Sequence, residues 1–137
     1  MAKPFIHAKN SARKFGGKQD EYLEIHRFLD SSKAAVADNR HRCLTHNSWF
    51  LSVVLERVFG ETIKNSDGRE VSVREIGEQH VLEDYGMKFI PTAQDFLQSL
   101  PFEDWMDNGR GGYPPSAAKL KEHRKAKTFK LQDEETP

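Results

Sequence analysis

The stretch that most constrains this chain is Asp38 to Gly60, DNRHRCLTHNSWFLSVVLERVFG. From Trp49 to Phe59 it is apolar almost all the way round, with only Ser52, Glu56 and Arg57 interrupting. A helix of that kind belongs inside a small domain. The half before it is dense with polar groups: Asp38, Arg40, His41, Arg42, Thr45, His46, Asn47 and Ser48. The expectation is a buried central helix whose amino-terminal end opens into a polar, histidine-bearing site.

The rest of the chain supplies elements to pack around it. Pro4 to Phe15 reads as a helix with Ala8, Ala12 and Phe15 as its apolar stripe, stopped by Gly16-Gly17. His7 and Ser11, one turn apart on a neighbouring face, read as a local hydrogen bond. A second helix is expected from Asp20 to about Ala37, with Tyr22, Ile25, Leu29 and Val36 inward. Thr62–Lys64 and Glu70–Val73 alternate around Asn65-Ser66-Asp67-Gly68-Arg69, which predicts a β-hairpin within 61–73 that must lie against helices. Ser72-x-x-Glu75 is a capping box and opens a helix running to Gly86. Thr92 with Asp95 opens a short one closed by Pro101, and Phe102, Trp105 and Met106 read as a last apolar anchor. The core is expected from Ile25, Leu29, Leu51, Val54, Leu55, Val58, Ile76 and Phe96.

The fold class is therefore mainly α: a compact helical bundle around a buried central helix, with one short β-hairpin and a charged C-terminal tail. The helical domain is expected over 1–107 and the tail over 108–137. In 137 residues there is room for one modest core. Lys+Arg and Asp+Glu both total 21, so net charge gives no argument for nucleic-acid binding. Both ends are nevertheless basic, with Lys3, Lys9, Arg13, Lys14 and Lys18 at one and Lys119 to Lys130 at the other. Cys43 is the only cysteine, so no internal disulfide forms, and the opening MAKPFIHAKN lacks the apolar run of a signal peptide. No stretch approaches a membrane span, and a cytoplasmic location is the expectation.

Chemistry concentrates in the histidines. His26 and Asp30 stand four apart on one helix, His80 and Asp84 four apart on another, so each pair stacks on one face. Bundles build metal sites from such inward histidines and carboxylates. The metal-ligand candidates are His26, Asp30, His41, His46, His80 and Asp84, with Glu83 or Asp84 completing the stripe of Ile76 and His80. Lys33, Arg42 and Glu83 are the catalytic candidates, Lys33 and Arg42 (or Arg40) countering substrate charge. Imidazole with carboxylate suits zinc, manganese or iron. One difficulty is that His41 and His46 lie about 140° apart on an ideal helix, so only a kink or a restart at Thr45 would let both face one pocket. Plain hydrogen-bonded His–Asp pairs finishing a polar core are the competing reading. Cys43 beside His41 and His46 has no separate activating partner and reads as packing.

The strings HAKNSARKFGG, EYLEIHRFLDSSKA, RHRCLTH, IKNSDGREVSVREIGEQHVLEDYG and IPTAQDFL together resemble a family of small bacterial and bacteriophage proteins, a domain of unknown function. The resemblance covers roughly His7 to Trp105. It implies a compact helical fold and a bacterial or phage cytoplasm, and it assigns no site residue. Two functions follow from the residues: a metal-dependent hydrolase of a phosphoester or nucleotide, or a binding module that docks a protein or nucleic acid through its basic ends.

Overall fold

The computed structural model describes residues 3–109 and 111–117. The chain divides into two units, 1–99 and 100–137. In the first, α1 (Pro4–Phe15), α2 (Leu23–Asp30), α3 (Arg42–Thr45), α4 (Leu55–Phe59), α5 (Val73–Asp84) and α6 (Ala93–Leu97) surround one core, with a hairpin of β1 (Thr62–Lys64) and β2 (Glu70–Ser72). α1 packs across both α2 and α5, α5 also packs on α4, and β1 lies against α4. The architecture is the mainly helical one that the apolar periodicity predicts. Among the described residues, no helix is long and apolar enough to cross a membrane.

The hairpin pairs Ile63 with Val71, which puts Val71 into the core. Asn65 fastens its tip to α1. Asn65 Nδ2 donates to the Phe15 carbonyl at 3.0 Å and to Tyr22 Oη at 3.2 Å, while Asn65 Oδ1 accepts from the backbone N–H groups of Asp67 and Arg69. Gly17, at φ 75°, lies so close to this tip that a Cβ would stand 2.8 Å from Asn65 Cβ. A short hairpin that is marginal alone is thus held by the end of a helix. Ser72 caps α5 as its spacing predicts, accepting from the Glu75 N–H, and Thr92 caps α6 with Asp95 in a reciprocal box.

The central helix differs from its expectation. It is not continuous: α3 ends at Thr45, His46 leaves helical geometry at φ −102° and ψ 46°, and the chain restarts after Asn47. Asn47 Oδ1 accepts from the Phe50 N–H at 2.9 Å, so the restart is capped at Asn47 rather than at Thr45. The next turn, Phe50–Val54, is π-helical and runs into α4. A π turn carries more residues than an α turn. Inward positions therefore recur every four residues, at Leu51, Leu55 and Phe59, and Val58 is turned outward at 53% exposure. Val58 is thus no core residue, and Val54 and Phe96 are only half-buried. Ile25, Leu29, Leu51, Leu55 and Ile76 are buried as expected.

The second helix is also shorter than its periodicity suggests. α2 stops at Asp30 and gives way to a tighter turn over Ser31–Ala34. Ser31 Oγ donates to the Phe28 carbonyl at 2.6 Å, the kind of local bond by which serine competes with helix propagation. In the second unit, a three-residue helical turn at Asp104–Met106 is too short to bury a stripe. Phe102 is 77% exposed and Met106 is exposed too, while Trp105 is half-buried, so the three do not form the expected anchor as a unit. The tail expected from 108 onward lies outside the described residues except for 108–109 and 111–117.

The seam between α4 and α5 depends on a glycine. A Cβ at Gly77 would lie 2.7 Å from Leu55 Cδ2 and 2.8 Å from Leu51 Cδ2, two of the most buried side chains. Gly77→Ala therefore overpacks the core despite its better helix propensity. The expected loss in urea unfolding is about 1–3 kcal/mol, and a stabilised variant would show the two leucines free to move aside.

Candidate metal centre

Two rows on α5 organise the site. Ile76, His80 and Asp84 form one, directed toward α2 and the break after α3; Gln79 and Glu83 form the other, directed toward α1. α2 contributes Asp30 from its last turn, and the break after Thr45 turns His46 inward. Four atoms converge from these elements. His46 Nε2 lies 3.0 Å from Asp84 Oδ2 and 3.6 Å from Asp30 Oδ1; His80 Nε2 lies 3.3 Å from each of the same two oxygens. Both imidazoles are fully buried, and the side chains of Asp30 and Asp84 nearly so. All four ligand atoms fall within 4.8 Å of one another.

The surrounding hydrogen bonds determine which nitrogens carry protons. Gln79 Nε2 donates to the His7 carbonyl and to Glu83 Oε2, so Gln79 Oε1 is left to accept from Ser11 Oγ at 2.5 Å. Ser11, having given its proton, accepts from His26 Nε2 at 2.7 Å. His26 is held neutral, its pKa lowered to about 2 by burial and then by the imidazoles of His80 and His7. Its Nδ1 is therefore a lone pair, and His80 Nδ1 donates to it at 2.8 Å. On the other side, Thr45 Oγ1 donates to the Leu29 carbonyl at 2.7 Å and accepts from His46 Nδ1 at 2.8 Å. Burial also lowers the His46 pKa, against the pull of Asp84.

Both chains end alike. His80 Nε2 and His46 Nε2 are left facing two carboxylate oxygens. The four imidazole–carboxylate separations are 3.0–3.6 Å, and carboxylates so closely surrounded are stabilised by a proton on an imidazole or by a cation standing among the four atoms. Ligands placed about 2.0–2.2 Å from a metal are about 3.3–3.6 Å apart in a tetrahedron and about 2.8–3.1 Å apart as octahedral neighbours. The observed separations span those values. The donor set of two imidazoles and two carboxylates suits zinc, manganese or iron.

Electrostatics concentrate on the carboxylates. Burial alone would raise the Asp84 carboxyl, yet the imidazoles of His46, His7 and His80 beside it hold it far below the usual range. Asp30 is lowered likewise, burial being outweighed by His80, Lys33 and His46. His7 stands behind the group, its ring stacked on His80 at 3.8 Å between centroids. Burial pushes His7 down, but Asp84 and Glu83 outweigh it and raise its pKa to about 9. His7 Nδ1 donates to Glu83 Oε1 at 2.8 Å, and Nε2 lies 3.2 Å from Asp84 Oδ1 without hydrogen-bond alignment.

The residues singled out from the sequence thus fall into two shells. Asp30, His46, His80 and Asp84 come together. His26 stands behind His80 with both nitrogens engaged, which leaves it outside the converging group. His41 is outside as well: its Nδ1 lies 2.6 Å from Ser32 Oγ, its ring meets His46 edge-on, and its Nε2 is buried without a partner. Glu83 faces α1, bonded to His7, Asn10 and Gln79. Lys33 Nζ is 3.8 Å from Asp30 Oδ2, and Arg42 Nη2 is 3.9 Å from Asp84 Oδ1.

His7, Ser11, Thr45 and Gln79 were not legible as site residues. The available signal was on α1: Ala8 and Ala12 beside His7 and Ser11 allow another helix to approach closely, which buries their polar neighbours. Four buried polar atoms of the described residues have no partner, namely His7 Nε2, Asp30 Oδ2, His41 Nε2 and Arg42 Nε. All four border this one group, where an ion, water or ligand would satisfy them.

A family model described as a domain of unknown function, DUF6915, matches residues 2–106. No curated protein and no solved structure matches the chain.

Proposed function

Since the chain belongs to the DUF6915 family, a domain of unknown function, we propose from the site itself that it is a metal-dependent hydrolase of a phosphoester or nucleotide. The observation that carries this reading is the convergence of Asp30 Oδ1, His46 Nε2, His80 Nε2 and Asp84 Oδ2, four ligand atoms within 4.8 Å of one another. A divalent cation held there supplies Lewis acidity and brings the pKa of a bound water toward neutrality. The protein's own groups prepare the rest. Ser11 and His26 orient His80, Thr45 orients His46, and the outer bonds raise the basicity of both ligands. Asp30 Oδ2, a carboxylate oxygen without a hydrogen-bond donor beside the group, supplies the base that would take a proton from a water or a substrate hydroxyl.

A hydrolytic metal and a purely structural one are the two roles that such a centre can take. The structural reading has its own support in four protein ligands and two fully buried imidazoles. Activity separates them. Manganese- or zinc-loaded protein is expected to hydrolyse bis(p-nitrophenyl) phosphate or a nucleoside monophosphate, with activity lost on chelation and regained on adding metal back. Stoichiometric metal with no turnover of either substrate would favour the structural role.

A further inference from the structure

We propose that Arg42 forms an oxyanion subsite beside the metal centre and that this subsite takes one phosphoryl group rather than a polyphosphate. The inference rests on the metal-centred reading above. Three cations near the site are candidates for countering substrate charge, and the structure separates them. Arg40 is exposed, with its guanidinium held on Asp38 through bonds of 2.8–3.1 Å. Lys33 is 40% exposed and leans toward Asp30. Arg42 is only 8% exposed, and its Nε has no acceptor.

That is a costly arrangement for a charge. The carboxylate oxygen near Arg42 is Asp84 Oδ1, whose 3.9 Å separation from Nη2 is too long for a hydrogen bond. The guanidinium lies over the Tyr85 ring with Cζ 5.3 Å from its centre, a cation–π contact on one side of the head group. A guanidinium presents paired N–H groups along its edge, and an oxyanion is the ligand that matches them two at a time. Asp84 links this subsite to the metal centre, since Oδ2 faces the ligand group and Oδ1 faces Arg42.

Charge fixes the class further. Asp30, Glu83 and Asp84 bring three carboxylates to the interior, with Lys33 beside Asp30 and Arg42 beside Asp84. A triphosphate would bring several further negative charges beside Asp30 and Glu83, where repulsion is weakly screened.

The test titrates orthophosphate and inorganic triphosphate into manganese-loaded wild type, Arg42→Gln and Arg42→Lys, with manganese affinity measured on the same samples. Orthophosphate is expected to bind wild type at least as tightly as triphosphate. Arg42→Gln should weaken orthophosphate by about ten- to a hundredfold while metal affinity is unchanged, and Arg42→Lys should fall between. In wild type loaded with diamagnetic zinc, the Arg42 Nε–H resonance should shift on adding phosphate, a readout that does not depend on how the variants fold. Unchanged phosphate affinity in Arg42→Gln, preferred triphosphate, or a stationary Nε–H signal would overturn the subsite. Phosphate held through Arg42 by a protein that takes no manganese would support the subsite and end the metal reading instead.

Discussion

Asp84→Asn is expected to abolish stoichiometric binding of divalent metal. Asp84 makes the closer approach to the two imidazoles, with Oδ2 at 3.0 Å from His46 Nε2 and 3.3 Å from His80 Nε2, while Oδ1 faces His7 and Arg42. The amide removes a negative charge and puts an N–H donor where a ligand oxygen stood. Changes one shell further out commonly weaken metal binding by about 10–100-fold, so loss of an anionic ligand should exceed that range. Thermal unfolding reads the effect. Metal at about a hundred times its Kd stabilises a folded protein by about 2.7 kcal/mol, so manganese or zinc should raise the wild-type Tm and leave that of Asp84→Asn in place. An equal rise in both proteins would remove Asp84 from the centre.

In the metal-free protein, stability should fall steeply between pH 6.5 and 4.5. The sign follows from His26, whose pKa drops to about 2 in the folded state because of burial and the neighbouring imidazoles of His80 and His7. Below pH 6.5 the unfolded chain binds a proton at this position that the folded chain refuses. Each such group costs about 1.4 kcal/mol per pH unit, so His26 alone accounts for about 2–3 kcal/mol over that window. His41 and His46, also lowered, act in the same direction. The depressed carboxyls of Asp30 and Asp84 contribute stability that persists above the usual carboxylate pKa and is lost at lower pH, as each folded pKa is passed. His7 runs the other way: raised to about 9, its contribution is complete below pH 6.5 and fades as pH rises through 9. Urea unfolding in chelator at pH 6.5, 5.5 and 4.5 measures the slope, and a flat profile would mean that His26 is free to take its proton in the fold.

The parts of this architecture written in local sequence are those that local physics controls. Ser72 with Glu75 and Thr92 with Asp95 announce helix starts because a side chain can cap only the backbone just beyond it. His26 and His80 can be brought together on paper because each lies beside an apolar stripe, Ile25 and Leu29 in one case and Ile76 in the other; in the fold their Nδ1 atoms meet at 2.8 Å. What spacing could not reveal depends on contacts between distant segments. Ser11 does make the expected local bond, with Oγ 3.0 Å from the His7 carbonyl oxygen, but its contact with Gln79 Oε1 at 2.5 Å comes from another helix and has no local signal. The break at His46 and the π turn after it reverse the outlook of His46 and Val58, and no repeat of three or four residues encodes either. Glu83 and Asp84 are adjacent candidates in sequence, yet the 100° between them on α5 sends one toward α1 and the other into the centre.

X-ray absorption on metal-reconstituted protein shows directly whether Asp30, His46, His80 and Asp84 hold a metal ion. One divalent ion per chain is expected, with two imidazole nitrogens and carboxylate oxygens about 2.0–2.2 Å from it, and with loss of one imidazole from that shell in His80→Ala. Protein that retains no stoichiometric zinc, manganese or iron after dialysis, or a bound ion whose shell keeps both imidazoles in His80→Ala, would contradict it.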